Sequence, residues 1–195
     1  MCGTCGTPIQ KTGICQRCRE EPPPYRALRS WAAFDSPVRP ALHKLKYRRD
    51  MGLGEALAVP LGHYLESLGW PIDVVIPIPL GQKRLNERGY NQVALIAKPL
   101  SLYLGLSYHP RALKRGRETR SQVGLSAKER RDNVRDVFIV DASLVRGKSV
   151  LVMDDVATTG ATLSSSAEAL YQAGVKDVFA LTVARALPHH GLNII

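Results

Sequence analysis

Apolar positions along the chain fall into two periods, and the way they alternate lays out the elements. From Leu53 to Leu68, apolar residues at 53, 57, 61, 64, 65 and 68 keep helical spacing, which predicts a helix that Pro60 should kink or break. Val38 to Leu45 reads as a shorter helix. Asn91 is placed to cap a third helix through Val93, Leu95, Ile96 and Leu100, disturbed at Pro99, and Thr162 to Ala173 forms a fourth, ended by Gly174. Between them stand short, mostly apolar runs that predict buried strands: Asp73 to Pro77, Val137 to Val140, Ser149 to Met153 and Val178 to Val183. Arg146-Gly147-Lys148 reads as a turn joining the second and third of these runs. Tyr25 to Arg39 predicts a strand pair turning at Phe34-Asp35-Ser36-Pro37, and Pro79 to Arg88 a basic loop. Strands alternating with helices imply an α/β fold: a parallel sheet flanked by helices, with ligands at the C-terminal ends of the strands.

The chain's 195 residues leave room for one such domain and a small appendage. With 45% hydrophobic residues it can bury a core, yet no apolar run approaches the roughly 18 to 20 residues that cross a bilayer. The first residues carry no basic-then-apolar leader, which predicts a cytoplasmic location. The net charge of +10 is unevenly spread, with +6 in residues 1–50 and again in 101–150, against 0 and −2 in the other two stretches. Its densest part, Arg111 to Arg131, implies an anionic partner or a solvated basic surface. Aromatic residues barely interleave with these basics, which weakens the case for a stacking platform.

All four cysteines, Cys2, Cys5, Cys15 and Cys18, lie in the spacing C-x2-C-x9-C-x2-C. Four soft sulfurs converging on one centre make a closed tetrahedral Zn²⁺ site of structural type. Two disulfides are the alternative, disfavoured in a reducing compartment. A segment of about 20 residues has no core of its own, so metal binding there would supply its folding free energy. Glu20-Glu21 and the stiff Pro22-Pro23-Pro24 close this unit, which sets residues 1–21 as a knuckle, 22–24 as a linker and 25–190 as the main domain.

The stretch from Val150 to Thr162 carries the chemistry. An apolar strand delivers two carboxylates, Asp154 and Asp155, and Val156-Ala157-Thr158-Thr159-Gly160-Ala161-Thr162 then opens onto a helix N-terminus. Backbone N–H groups, the helix dipole and threonine hydroxyls suit a monophosphate. The carboxylates would repel phosphate and suit sugar hydroxyls or a divalent cation instead. Phosphate, ribose and metal together point to a phosphoribosyl ligand. No Gly-Lys-Ser/Thr follows, so this is not a Walker loop.

Asp154 to Thr162 resembles the phosphoribosyl-pyrophosphate (PRPP) signature of type I phosphoribosyltransferases. More narrowly the whole chain resembles the ComF family, through the four-cysteine knuckle, Tyr47-Arg48-Arg49-Asp50, Ile76-Pro77-Ile78-Pro79-Leu80, Lys83-Arg84-Leu85 with Glu87-Arg88-Gly89-Tyr90-Asn91-Gln92, and Gln122, Gly124-Leu125-Ser126, Glu129-Arg130 and Asn133-Val134. The resemblance implies uptake or processing of single-stranded DNA during natural transformation. It implies that Asp154 and Asp155 bind ribose hydroxyls, directly or through Mg²⁺, and Thr158 to Thr162 the 5′-phosphate. Pro77, Ile78, Pro79 and Leu80 would form the pyrophosphate loop, with Lys83, Arg84 and Arg88 behind it. Residues 111–125 would form a flexible hood in which Arg117 and Arg120 neutralise departing pyrophosphate. Hypoxanthine-guanine enzymes of this class place an acid where this chain has Thr158, which disfavours purine salvage of that type.

Two readings follow. In one, the chain is a PRPP-binding module whose basic residues Lys114, Arg115 and Arg117 hold single-stranded DNA, with DNA-uptake or DNA-processing proteins as further partners. In the other, it transfers the phosphoribosyl group to a nitrogenous acceptor with release of pyrophosphate. The histidines show no metal-like spacing, Trp31 and Trp70 read as packing residues, and Tyr90 either stacks on a base or anchors its helix.

Overall fold

The computed structural model describes residues 1–116 and 137–187. Its centre is a five-stranded parallel sheet in the order β1-β7-β6-β2-β3, built from β1 (Ala27–Ala33), β2 (Val74–Pro77), β3 (Ser107–Tyr108), β6 (Ser149–Ala157) and β7 (Asp177–Arg185). The strands alternate sides, as the two-residue period requires. Val74, Ile76, Val150, Val152, Val178 and Ala180 face one helical layer, carried by α7 (Ala161–Gln172). Val75, Leu151, Met153, Phe179 and Leu181 face the other, made by α2 (Val38–Tyr47), α3 (Met51–Leu68) and α5 (Gln92–Tyr103). Both faces being covered explains why β2 and Val150 to Met153 of β6 are apolar without interruption.

The remaining described elements are α1 (Gln16–Glu20), α4 (Gln82–Arg88), α6 (Ala142–Val145) and a separate antiparallel ribbon of β4 (Leu113–Arg115) and β5 (Phe138–Val140). Several sequence expectations are corrected. Tyr25 to Arg39 is no strand pair: only Ala27–Ala33 is extended, and it pairs in parallel with β7 as the sheet's edge. Val137 to Val140 does not join the parallel sheet, because three residues with Ile139 exposed complete the ribbon with β4. Nor does a bare turn lead from that run to β6, since Asp141 caps the short α6 ahead of Gly147. Pro79 to Arg88 is helical from Gln82, with Gly81 before it and a left-handed Gly89 after it supplying the boundaries.

Neither internal proline breaks its helix. Pro60 lies within α3 and Pro99 within α5, and the two helices pack on each other closely enough that a Cβ at Gly54 would stand 2.6 Å from the Leu95 carbonyl oxygen. That packing offsets the hydrogen bond each proline removes, which costs about 3 kcal/mol in an isolated helix. α3 opens with Asp50, whose side chain accepts from the Leu53 N–H, and α5 with Asn91, whose Oδ1 accepts from the Val93 N–H.

Candidate phosphoribosyl and cysteine sites

β6 runs through the sheet centre and carries the acidic pair near its C-terminal end. Asp155 is buried, and its Oδ2 is doubly engaged: Lys46 of α2 stands 2.7 Å from it, and the Gln92 side-chain amide donates to it at 3.1 Å. Arg88 in turn donates to Gln92 Oε1 at 2.8 Å, so the last turn of α4 is tied to the acid through one amide. Asp154 keeps partial exposure and accepts from the Asp155 N–H at 2.8 Å. Burial, then the Asp155 charge, push its carboxyl up to about 7, against the pull of Lys46 and Arg115. The two acids thus divide: Asp155 is held by side chains of two helices, and Asp154 by a backbone N–H.

One flank of this pair is the segment after β2. The Ile78 N–H donates to the Met153 carbonyl, and Asn91 Nδ2 donates to the Ile78 carbonyl at 2.9 Å, so the residue that caps α5 also fixes this loop. Arg115 of β4 donates to the Pro79 carbonyl at 3.1 Å. Burial lowers the Arg115 pKa, while the Asp154 charge raises it. Lys114 is exposed, and Lys83 and Arg84 are exposed on α4. Arg117 and Arg120, together with the motif residues from Gln122 to Val134, lie outside the described residues.

Beyond Ala157 the chain turns at Gly160, whose φ of +80° no β-carbon-bearing residue adopts without strain, and enters α7. The Tyr25 hydroxyl comes within 3.4 Å of where a Cβ at Gly160 would stand. Thr159 Oγ1 accepts from the Ala161 N–H at 3.4 Å. Thr158 is exposed, and Thr159 to Thr162 are half-buried, so the loop presents hydroxyls and the first N–H groups of a twelve-residue helix. An anion fits there.

The four cysteine sulfurs converge within 4.8 Å of one another. The Cys5 and Cys15 sulfurs are 3.7 Å apart, too far for a disulfide and close to the ~3.8 Å edge of a tetrahedron with bonds of about 2.3 Å. All four are free thiols, two of them buried. Burial opposes ionisation of Cys2, yet N–H donors from Cys15, Cys5 and Thr4 draw its pKa down to about 6, while burial and its neighbours push Cys18 up. The donor set and spacing fit a zinc ion, which would be held by Cys2, Cys5, Cys15 and Cys18.

The knuckle is fastened to the sheet. The Leu28 N–H of the edge strand donates to the Thr4 carbonyl, Arg29 donates to the Gly3 carbonyl at 2.9 Å, and Arg185 at the end of β7 donates to the Cys5 carbonyl. Arg185 is buried and is the register partner of Ala157, the residue before Thr158.

Sequence reasoning singled out the acidic pair, the loop and the cysteines, and missed Lys46, Gln92 and Arg185 as site residues and Arg115 as a neighbour of the acids. The usable signals were faint: Lys46 belonged to a basic cluster, and Gln92 closes Gly89-Tyr90-Asn91-Gln92. Tyr90 is an anchor, since its hydroxyl donates to the Leu45 carbonyl at 2.8 Å and accepts from the Arg49 N–H. Trp70 packs on Phe179 with ring centroids 4.9 Å apart.

A parallel sheet flanked by helices, with acids at the end of its central strand and a phosphate-type loop after them, defines a phosphoribosyltransferase-type domain. A family model described as "Phosphoribosyl transferase domain" matches residues 63–190. The chain is 32% identical to "DNA utilization protein YhgH" of Escherichia coli strain K12, over 96% of this chain and 85% of that one. It is 31% identical to "Competence protein F" of Haemophilus influenzae, over 95% and 84%, and 27% identical to "Competence protein ComFC" of Bacillus subtilis, over 89% and 72%. Among solved structures, an adenine phosphoribosyltransferase from Thermoanaerobacter pseudethanolicus is 17% identical with a TM-score of 0.47, covering 75% of this chain and 85% of that one. The chain belongs to the ComF family, with a phosphoribosyltransferase domain and an N-terminal four-cysteine cluster. Among the described residues no helix is long and apolar enough to cross a membrane.

Proposed function

We propose that this protein binds PRPP or a related phosphoribosyl ligand and acts in the uptake or processing of single-stranded DNA. The observation that carries the first half is the acidic pair running directly into a glycine-turned loop at a helix N-terminus. On this reading Thr158 to Thr162 hold the 5′-phosphate, Asp154 takes the ribose hydroxyls, and Lys46 with Gln92 holds Asp155 in place behind it. Pro77 to Leu80 receive the pyrophosphate, with Lys83, Arg84, Arg88 and Arg115 supplying positive charge. Mg²⁺, held through the ligand near Asp154 and Asp155, would neutralise the pyrophosphate further. Zinc in the knuckle is structural.

The DNA half draws on the relatives' names, which speak of DNA utilization and competence. It gains support from an exposed ring beside a guanidinium. Tyr47 is 63% exposed, the Arg88 guanidinium lies 5.2 Å over its ring, and the His43 ring stands 4.6 Å away. Folding thus adds Arg88, distant in the sequence, to the basic residues that flank this ring in the chain. The exposed Lys114 remains available to a phosphate backbone, whereas Arg115 points into the site.

The test is calorimetric titration with PRPP and Mg²⁺, then with a single-stranded oligonucleotide at several salt concentrations. Asp154→Asn with Asp155→Asn should abolish the first binding and spare the second. Tyr47→Ala should do the reverse.

A further inference from the structure

The exposed ring of Tyr47 and the buried carboxylate of Asp155 are joined through two side chains. The Arg88 guanidinium lies 5.2 Å over the Tyr47 ring, and the same group donates through Nη1 to Gln92 Oε1 at 2.8 Å. Gln92 Nε2 then donates to Asp155 Oδ2 at 3.1 Å. Building on the phosphoribosyl and DNA readings, we propose that Arg88 and Gln92 couple the two sites. A single strand bound at Tyr47 weakens phosphoribosyl binding, and the phosphoribosyl ligand weakens strand binding by the same factor.

The parts of this relay differ in how firmly they are held. Gln92 is 3% exposed at the start of α5, beside the Asn91 that caps that helix. The end of α2 is pinned as well, because the Tyr90 hydroxyl donates to the carbonyl of Leu45, the residue before the Lys46 that pairs with Asp155. Arg88 is placed differently. It closes α4, a helix of seven residues with none buried. Gly81 precedes that helix and Gly89 follows it at φ +72°, and a Cβ at either would meet nothing within 4 Å. Surface contacts rather than burial therefore hold α4, and those of Arg88 are open to exchange with a ligand.

That exchange sets the sign of the coupling. A base stacked on the face of Tyr47 that Arg88 covers takes the guanidinium's place, and a backbone phosphate offers the guanidinium a charged partner in return. Gln92 Oε1 then loses the donor that fixes which way its amide faces. Nε2 is no longer aimed at Asp155, so the acid keeps Lys46 but loses the second hold on its Oδ2. A ligand whose ribose needs the acid pair as it stands binds the loosened site less tightly. In the other direction, an acid pair fixed by ligand favours the observed amide orientation, which keeps Arg88 on Gln92 and over the ring. Gln92 is thus a positioning residue, acting on the ribose site through Asp155.

The test measures PRPP affinity by calorimetry, with Mg²⁺ and at fixed salt, on the zinc-loaded full chain without and with saturating oligothymidylate. Oligothymidylate affinity is then measured without and with saturating PRPP. Both ratios should show the same weakening, about fivefold or more. Gln92→Met cuts the relay while leaving Tyr47 and Arg88 in place, and should bring both ratios to within about twofold of one, whatever the absolute affinities. Because Gln92 is buried, Arg88→Ala makes the same cut from the surface and should collapse the ratios too. Parent ratios within about twofold of one, or a strengthening, overturn the coupling. So does a weakening that survives in either folded variant, since that is direct repulsion between two anions and not a relay. Failure of PRPP alone, or of oligothymidylate alone, to bind the parent protein refutes that half of the proposed function, and the coupling with it.

Discussion

The acidic strand end and the cysteine knuckle are held in place by opposite means. In β6 the five residues Ser149 to Met153 are all buried, and both neighbouring strands and two helical layers brace the point where Asp154 emerges. Of residues 1–20 only Cys2, Gly6 and Cys18 are buried, and the knuckle leans on backbone carbonyls gripped by Arg29 and Arg185. The first region keeps its geometry through apolar burial and can tolerate the cost of adjacent carboxylates. The second has almost nothing apolar to hide, so its shape depends on four sulfurs and what they bind.

The largest effect that separates the regions should come from metal removal. Chelation of the loaded protein, or Cys18→Ser, should abolish amide protection across residues 2–18 while β6 and β7 amides exchange as before, because structural zinc contributes about 10 kcal/mol or more to such a unit. Hydrogen exchange read by mass spectrometry checks this; simultaneous loss in β6 would mean that the two regions fold as one.

Next comes the acid pair itself. Lys46→Met leaves Asp155 buried without its cation and should destabilise the chain by about 3 kcal/mol, seen as a lower urea midpoint. The same substitution should leave Co²⁺ uptake by the knuckle untouched.

A smaller effect follows from Asp154. Its folded pKa of about 7 lies above the ordinary 3.8, so between these values the native state holds the extra proton and the group's contribution to stability falls as pH rises, levelling off above about 7. Asp154→Asn should therefore raise stability at pH 8 by about 1 to 2 kcal/mol and flatten its dependence over that window. Ligand binding has the opposite sign. Ribose hydroxyls call for the carboxylate, so PRPP affinity should strengthen as pH rises through about 7, and the Asn variant should lack that rise.

The smallest concerns the fastening between the regions. Arg185→Met removes the donor to the Cys5 carbonyl and should cost about 1 kcal/mol, appearing as weaker Co²⁺ binding with unchanged body stability.

What the sequence revealed divides along the same line. Contiguous signals were legible: the cysteine spacing, the acids followed by the loop, and the glycine that turns into α7, since each is written within one short stretch of chain. The partners that make the site work were not. Gln92 reaches Asp155 across 63 positions, and Arg185 meets Cys5 across 180. No local period encodes such pairings; they follow from the strand order that lays β7 between β1 and β6. Short runs were ambiguous for a different reason. Phe138-Ile139-Val140 carries the same apolar signature as β2, and only the presence of β4 beside it makes it a ribbon. Prolines misled as well, because the packing of α3 on α5 outweighs the bond each one deletes.

The central claim is that Asp154 and the loop after it hold a phosphoribosyl ligand. The most direct measurement is calorimetric titration of zinc-loaded protein with PRPP and Mg²⁺, repeated on Asp154→Asn/Asp155→Asn. Saturable one-to-one binding at micromolar concentrations, lost in the double variant, is the predicted result. No heat from a folded, zinc-loaded protein, or equal binding by the variant, would contradict it.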